Sequence, residues 1–111
     1  MSQGIFHVRF QSNLADFGEG LVVVKDGSVN GGDGHFLYRG TLSAESGPVS
    51  GQLSVDKWRT GNHSVVNLDH FKLNVQGAID YVQGTLSLQG QVENAPHLSI
   101  SISGQKVADA V

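Results

Sequence analysis

The side chains able to do chemistry are few and scattered. Five histidines occur, His7, His35, His63, His70 and His97. No two have the close spacing along one strand or helix that metal ligation uses, so no metal site is expected. Most fall on the outward register of an alternating strand and read as surface residues. Asp16 and Glu19 are close enough to be imagined as paired carboxylates. Acid–base work needs one such group desolvated to raise its pKa, and both sit beside an exposed turn. Gly31-Gly32-Asp33-Gly34 has the composition of a phosphate cradle, but it opens no helix and no lysine follows, so it reads as a structural corner. There is no Gly-x-Ser-x-Gly nucleophile elbow. Asn62-His63-Ser64 matches a glycosylation sequon by chance if the chain is not secreted. The expectation is a protein without catalysis and without a cofactor.

Interaction chemistry is better represented. Trp58 is the single tryptophan and stands between Lys57 and Arg59. Counting from Val55 its side chain points outward. It reads either as a protein-contact anchor or as a plug at the end of a barrel. Two cations in a chain of net charge −3 make a poor phosphate-binding surface, so direct nucleic-acid binding is not expected.

The elements that must position these residues are strands. Val82, Gly84, Leu86, Leu88, Gly90 and Val92 alternate with polar residues from Gln83 to Gln91, a period of two. Leu98, Ile100 and Ile102 alternate with serines, Phe71, Leu73 and Val75 with polar residues, and Phe6, Val8 and Phe10 with His7 and Arg9. Such strands have one dry and one wet face. Asp26-Gly27 is a two-residue hairpin signal, because both positions tolerate positive φ. Further turns are expected at Asn30–Gly34, Ser46–Pro48, Thr60–Asn62 and Asn94–Pro96. The predicted strands are 4–11, 18–25, 28–30, 35–42, 49–58, 65–76, 81–92 and 97–103. One domain is expected over residues 1–104, followed by a tail, 105–111, that is frayed or a short helical turn.

Eight one-sided strands without helices leave two exposed edges, which closure removes. The predicted fold is therefore all-β, an eight-stranded up-and-down antiparallel barrel. Phe6, Phe10, Phe36, Tyr38 and Phe71 share its inner face with Gly40, Gly51, Gly84 and Gly90. The inward glycines either mark strand kinks in a filled barrel or leave room for a small apolar ligand lined by those five aromatics. No cysteine is present, which excludes disulfides and thiolate metal sites. The N-terminus Met1-Ser2-Gln3-Gly4 lacks a basic region and an apolar run, so no signal peptide is expected. The apolar run Leu21–Val24 is too short to span a bilayer. A cytoplasmic location without membrane insertion follows as the expectation.

Several segments resemble one family. Gly4-Ile5-Phe6-His7-Val8-Arg9-Phe10 with Asn13, then Gly18-Glu19-Gly20, Gly31-Gly32-Asp33 and Tyr38-Arg39-Gly40-Thr41-Leu42-Ser43 are similar to the GrlR family, described as negative regulators of type III secretion. Val66-Asn67-Leu68 is a fainter echo. The resemblance implies a lipocalin-like barrel, a homodimer, and regulation by binding and restraining a transcriptional activator rather than DNA. It also implies a partner contact just after the Tyr-x-Gly-x-Leu-Ser strand, where the family's studied regulator carries an acidic run. Here that stretch is Ala44-Glu45-Ser46-Gly47-Pro48, with Glu45 its one carboxylate. Glu45, with Trp58 beside it, is the expected partner site.

Overall fold

Alternation of apolar and polar residues builds this protein strand by strand. The computed structural model describes residues 3–13, 17–42, 46–59 and 70–110. The strands are β1 (Gln3–Ser12), β2 (Phe17–Lys25), β3 (Ser28–Gly32), β4 (Phe36–Thr41), β5 (Gly47–Lys57), β6 (His70–Asp80), β7 (Thr85–Val92) and β8 (Ala95–Ala108). Each pairs antiparallel with the next, and β8 pairs with β1, so the sheet is a closed barrel of eight strands. Closure satisfies every strand edge. The predicted architecture is the observed one.

The inward register is the dry one. Phe6, Val8, Val22, Val24, Val29, Phe36, Tyr38, Leu53, Val55, Leu73, Val75, Leu86, Leu88, Ile100 and Ile102 are all buried in one core. Outside, β7 presents Thr85, Ser87, Gln89 and Gln91 to solvent. That polar wall is the reverse of the apolar outer band of a transmembrane barrel. Among the described residues no helix is long and apolar enough to cross a membrane.

The turns sort the molecule into two ends. The β2–β3, β4–β5 and β6–β7 connections and both termini lie at one, the hairpin end. The β1–β2, β3–β4, β5–β6 and β7–β8 connections lie at the other, the corner end. Asp26 and Gly27 take φ of 51° and 90°, as the two-residue hairpin requires.

The ends of β1 to β5 shift from the sequence reading by at most two residues, and four later boundaries differ with a local cause. The first is β7, which begins at Thr85 rather than 81: the Asp80 carboxyl accepts the N–H groups of Val82 and Gln83, both at 2.9 Å, and folds 81–84 into a turn. Val82, expected on the dry face, is 93% exposed. Gly84 sits in the same turn at φ 74°, not on the inner wall. At β6 the strand continues to Asp80, while residues 65–69 of its predicted span lie outside the described residues. On β8 the strand starts at Ala95, because the chain turns at Asn94, φ 67°. The chain from Gln105 to Ala108, expected as frayed or helical tail, continues β8 and pairs with β1. A register shift opposite Ile5 and Phe6 lets Val107 bulge out, 60% exposed.

Candidate functional site

The corner end is built by the glycine segments. β2 and β3 approach so closely there that a Cβ on Gly31 would lie 2.2 Å from the Leu21 carbonyl oxygen. Gly20 lies under the ring edge of Tyr38, where a Cβ would meet Cε2 at 3.1 Å. The chain then turns through Asp33, whose Oδ1 accepts the N–H groups of His35 and Phe36, each at 2.8 Å. The Asp33 N–H donates to the Phe36 carbonyl at 3.0 Å. This is an Asx-type corner, in which the carboxyl stands in for a backbone acceptor. The other carboxyl oxygen, Oδ2, accepts the hydroxyl of Tyr38.

Trp58 straps this corner from outside. Its backbone N–H donates to the His35 carbonyl at 2.8 Å and its ring N–H to the Asp33 carbonyl at 3.2 Å. The ring stays half-exposed, with the Arg59 guanidinium 5.2 Å from its centroid. Lys57 lies 5.7 Å from the Phe36 ring centroid. Outward pointing is therefore combined with a structural tie.

Inside the barrel lies an apolar cavity of about 150 Å³, lined from the corner end down to Val24, Val29 and Leu42 near the hairpin end. Phe10, Phe36, Tyr38 and Phe71 line it, with Gly18 and Asp33 at its edge. Phe10 and Tyr38 meet edge to face, with centroids 5.1 Å apart. Phe6, the fifth aromatic expected on the lining, does not reach it. It is fully buried on β1 opposite Val22 and is not among the lining residues. Nor do the expected inward glycines make the space. A Cβ on Gly40 or Gly51 would sit 2.2 Å from a carbonyl oxygen of the neighbouring strand, so those positions mark close approach of β4 and β5. Asp33 is the residue that sequence reasoning passed over. Its only signal was an Asp at a glycine corner, five positions before a tyrosine of inward register.

The remaining sequence candidates do not assemble. Glu45, Asp16 and the Asn62-His63-Ser64 sequon lie outside the described residues. The residues that flank the Glu45 segment, Leu42 and Ser46, are at the hairpin end: the Leu42 N–H donates to Gly27 and Ser46 Oγ accepts the N–H of Tyr81. Trp58 is at the other end of β5. On the outer wall His7 contacts Glu19 at 3.1 Å, and Asp56 contacts His70 at 3.1 Å and Arg39 at 3.5 Å. Among the described residues no three His, Cys, Asp or Glu side chains come together as a metal site.

The Tyr38–Asp33 pair has a measurable consequence. Burial, then the hydrogen bond to Asp33 and its charge, raise the Tyr38 pKa far above the ordinary tyrosine value. Burial also raises Tyr81. In the unfolded chain both phenols ionise near pH ~10. Below that pH both states hold the proton and nothing changes. Above it the unfolded chain releases protons that the folded one keeps, so stability falls as pH rises. Tyr38→Phe should flatten this alkaline loss, read from urea midpoints at a series of pH values above 9. An unchanged alkaline slope in Tyr38→Phe would show that the hydroxyl is not held as described.

Comparison with known proteins completes the description. The family model described as the T3SS negative regulator, GrlR, matches residues 1–110. No curated protein matches the chain. The match takes in every strand of the barrel and all the glycine segments of the corner end.

Proposed function

We propose that this chain, which belongs to the GrlR family of T3SS negative regulators, works without catalysis, by binding a transcriptional activator in the cytoplasm. The family match over residues 1–110 carries this reading. The acidic net charge of −3 supports a protein rather than duplex DNA as partner. Glu45 and Trp58 are kept as separate candidate contacts, since the described residue Ser46 and Trp58 flank opposite ends of β5. Affinity capture from a host that carries a type III secretion system should recover a DNA-binding regulator. Glu45→Lys should weaken that capture mainly through the association rate. Recovery of no regulator, together with tight binding of the purified protein to duplex DNA at physiological salt, would overturn the reading.

The regulator is proposed to act as a homodimer. Strand edges cannot drive this, since the barrel has none. The outer wall does offer an apolar strip. Leu21 and Val23 on β2 are 50% and 38% exposed, and Leu37 on β4 is 40% exposed. Leu21 and Leu37 flank Gly32, which has no side chain to separate them. A twofold mate laid on this strip would cover it on both copies at once. Leu21→Glu should convert the dimer to a folded monomer in sedimentation velocity, with an unchanged circular dichroism spectrum. A dimer that survives Leu21→Glu and Leu37→Glu together would place the interface elsewhere.

A second reading is favoured by the apolar cavity of about 150 Å³ inside the barrel. In it the barrel carries or senses a small apolar ligand. Occupancy would then raise the melting temperature as ligand is added.

A further inference from the structure

The cavity has a chemical polarity as well as a size, with its polar edge at the corner end and hydrocarbon below it. We propose that it takes a small uncharged molecule, one ring or a short chain of about six to eight carbons, bearing a hydroxyl group that donates to the Asp33–Tyr38 edge. This rests on the ligand reading above and narrows it to a class.

Size comes first. An apolar cavity of ~150 Å³ lined by Leu, Ile and Phe stays dry and holds benzene in another protein. The cavity here has about that volume and a similar lining. A long acyl chain is several times too large for it.

Polarity follows from counting donors and acceptors. Apart from Asp33 and Tyr38, every side chain lining the cavity is hydrocarbon. The Asp33 carboxyl has two oxygens and about four acceptor positions. Oδ1 accepts two backbone N–H groups, from His35 and Phe36. Oδ2 accepts the Tyr38 hydroxyl, which leaves it one position. Tyr38 donates its one proton in the hydrogen bond to Asp33, so its oxygen is left as an acceptor. The raised Tyr38 pKa keeps that proton in place across the physiological range. The polar edge thus offers acceptors and no free donor. A hydroxyl satisfies it. A ketone or ether brings a third acceptor and is left unpaired. A carboxylate adds a second negative group beside Asp33, with no cation among the lining residues. An ammonium meets Asp33 well but carries a full charge against hydrocarbon walls.

Cyclohexanol and cyclohexanone test this cleanly, because they share a skeleton and differ in whether the oxygen donates. Isothermal titration of the full chain should show one cyclohexanol per barrel, bound about tenfold more tightly than cyclohexanone. Cyclohexanecarboxylate should bind more weakly than either. Asp33→Asn is the second arm. Its carbonyl can keep the two backbone N–H bonds while its amide turns a donor toward Tyr38, freeing the tyrosine proton. The preference should then shrink to threefold or less, or invert toward the ketone. Equal wild-type affinity for alcohol and ketone, or binding of the carboxylate as tight as the alcohol, would overturn the class while leaving the ligand reading intact. Binding of none of the three would overturn both. Should Asp33→Asn fail to fold, the wild-type series decides alone.

Discussion

Leu86→Asp is expected to unfold the domain, and Thr85→Asp to leave it folded. The two residues are neighbours on β7 with opposite facings. Leu86 is buried, opposite Ile79 on β6 and Gly104 on β8. Packing is tight there: a Cβ on Gly104 would come within 2.9 Å of Leu86 Cγ. Removing the leucine side chain alone costs about 2–5 kcal/mol. An unpaired carboxylate in its place adds a desolvation penalty of several kcal/mol more. A domain of this kind has only about 5–15 kcal/mol in total. Thr85 is exposed, and the nearest cost there is its cross-strand neighbour Asp80, a like charge worth at most about 1 kcal/mol. Circular dichroism with urea titration reads the contrast. Similar loss from both variants would refute the register of β7, since a one-residue slip exchanges the faces.

Gly31→Ala is expected to cost about 3 kcal/mol, the upper part of the range for overpacking, because what it meets is backbone. A Cβ at Gly31 would stand 2.2 Å from the Leu21 carbonyl oxygen and 2.5 Å from Val22 Cα. β2 cannot recede, because β1 holds its other edge through Leu21 opposite His7 and Val22 opposite Phe6. Moving β3 instead would disturb Tyr38, which pairs with Gly31 across β4 and carries the edge of the cavity. Scanning calorimetry should show a melting temperature lower by roughly 12 °C. Gly34→Ala, three residues on, should change it little: a Cβ there meets nothing within 4 Å and the backbone φ is not positive. A Gly31→Ala melting temperature within 2 °C of the wild type would mean that β2 and β3 do not approach as described.

What the sequence determined by itself was local. The period of two in β1, β6, β7 and β8 tells each side chain which face it is on, because successive Cβ atoms alternate. Asp26-Gly27 announces its hairpin, because few other pairs accept φ of 51° and 90°. Counting such strands was enough for the eight-stranded barrel, and the glycine segments were enough for the family. Alternation cannot tell where a strand stops, however. Val82 continued the pattern perfectly and still lies in a turn, because the Asp80 carboxyl captures two N–H groups there. From Gln105 onward no alternation is visible, yet β8 continues, because β1 offers an edge to pair with and a bulge absorbs the misfit at Val107.

Only the tertiary structure decided what meets what. Tyr38 and Asp33 are joined by the β3–β4 corner, and Phe10 and Phe71 reach the same cavity from β1 and β6. Phe6 shares Phe10's face but lies four residues along the strand, about 13 Å at strand rise, and does not line the cavity. Ser46 and Trp58 flank opposite ends of β5. Period two gives the face of a residue but not its height along the barrel. Height is set by the registers of all eight pairings together, and those exist only once the sheet has closed.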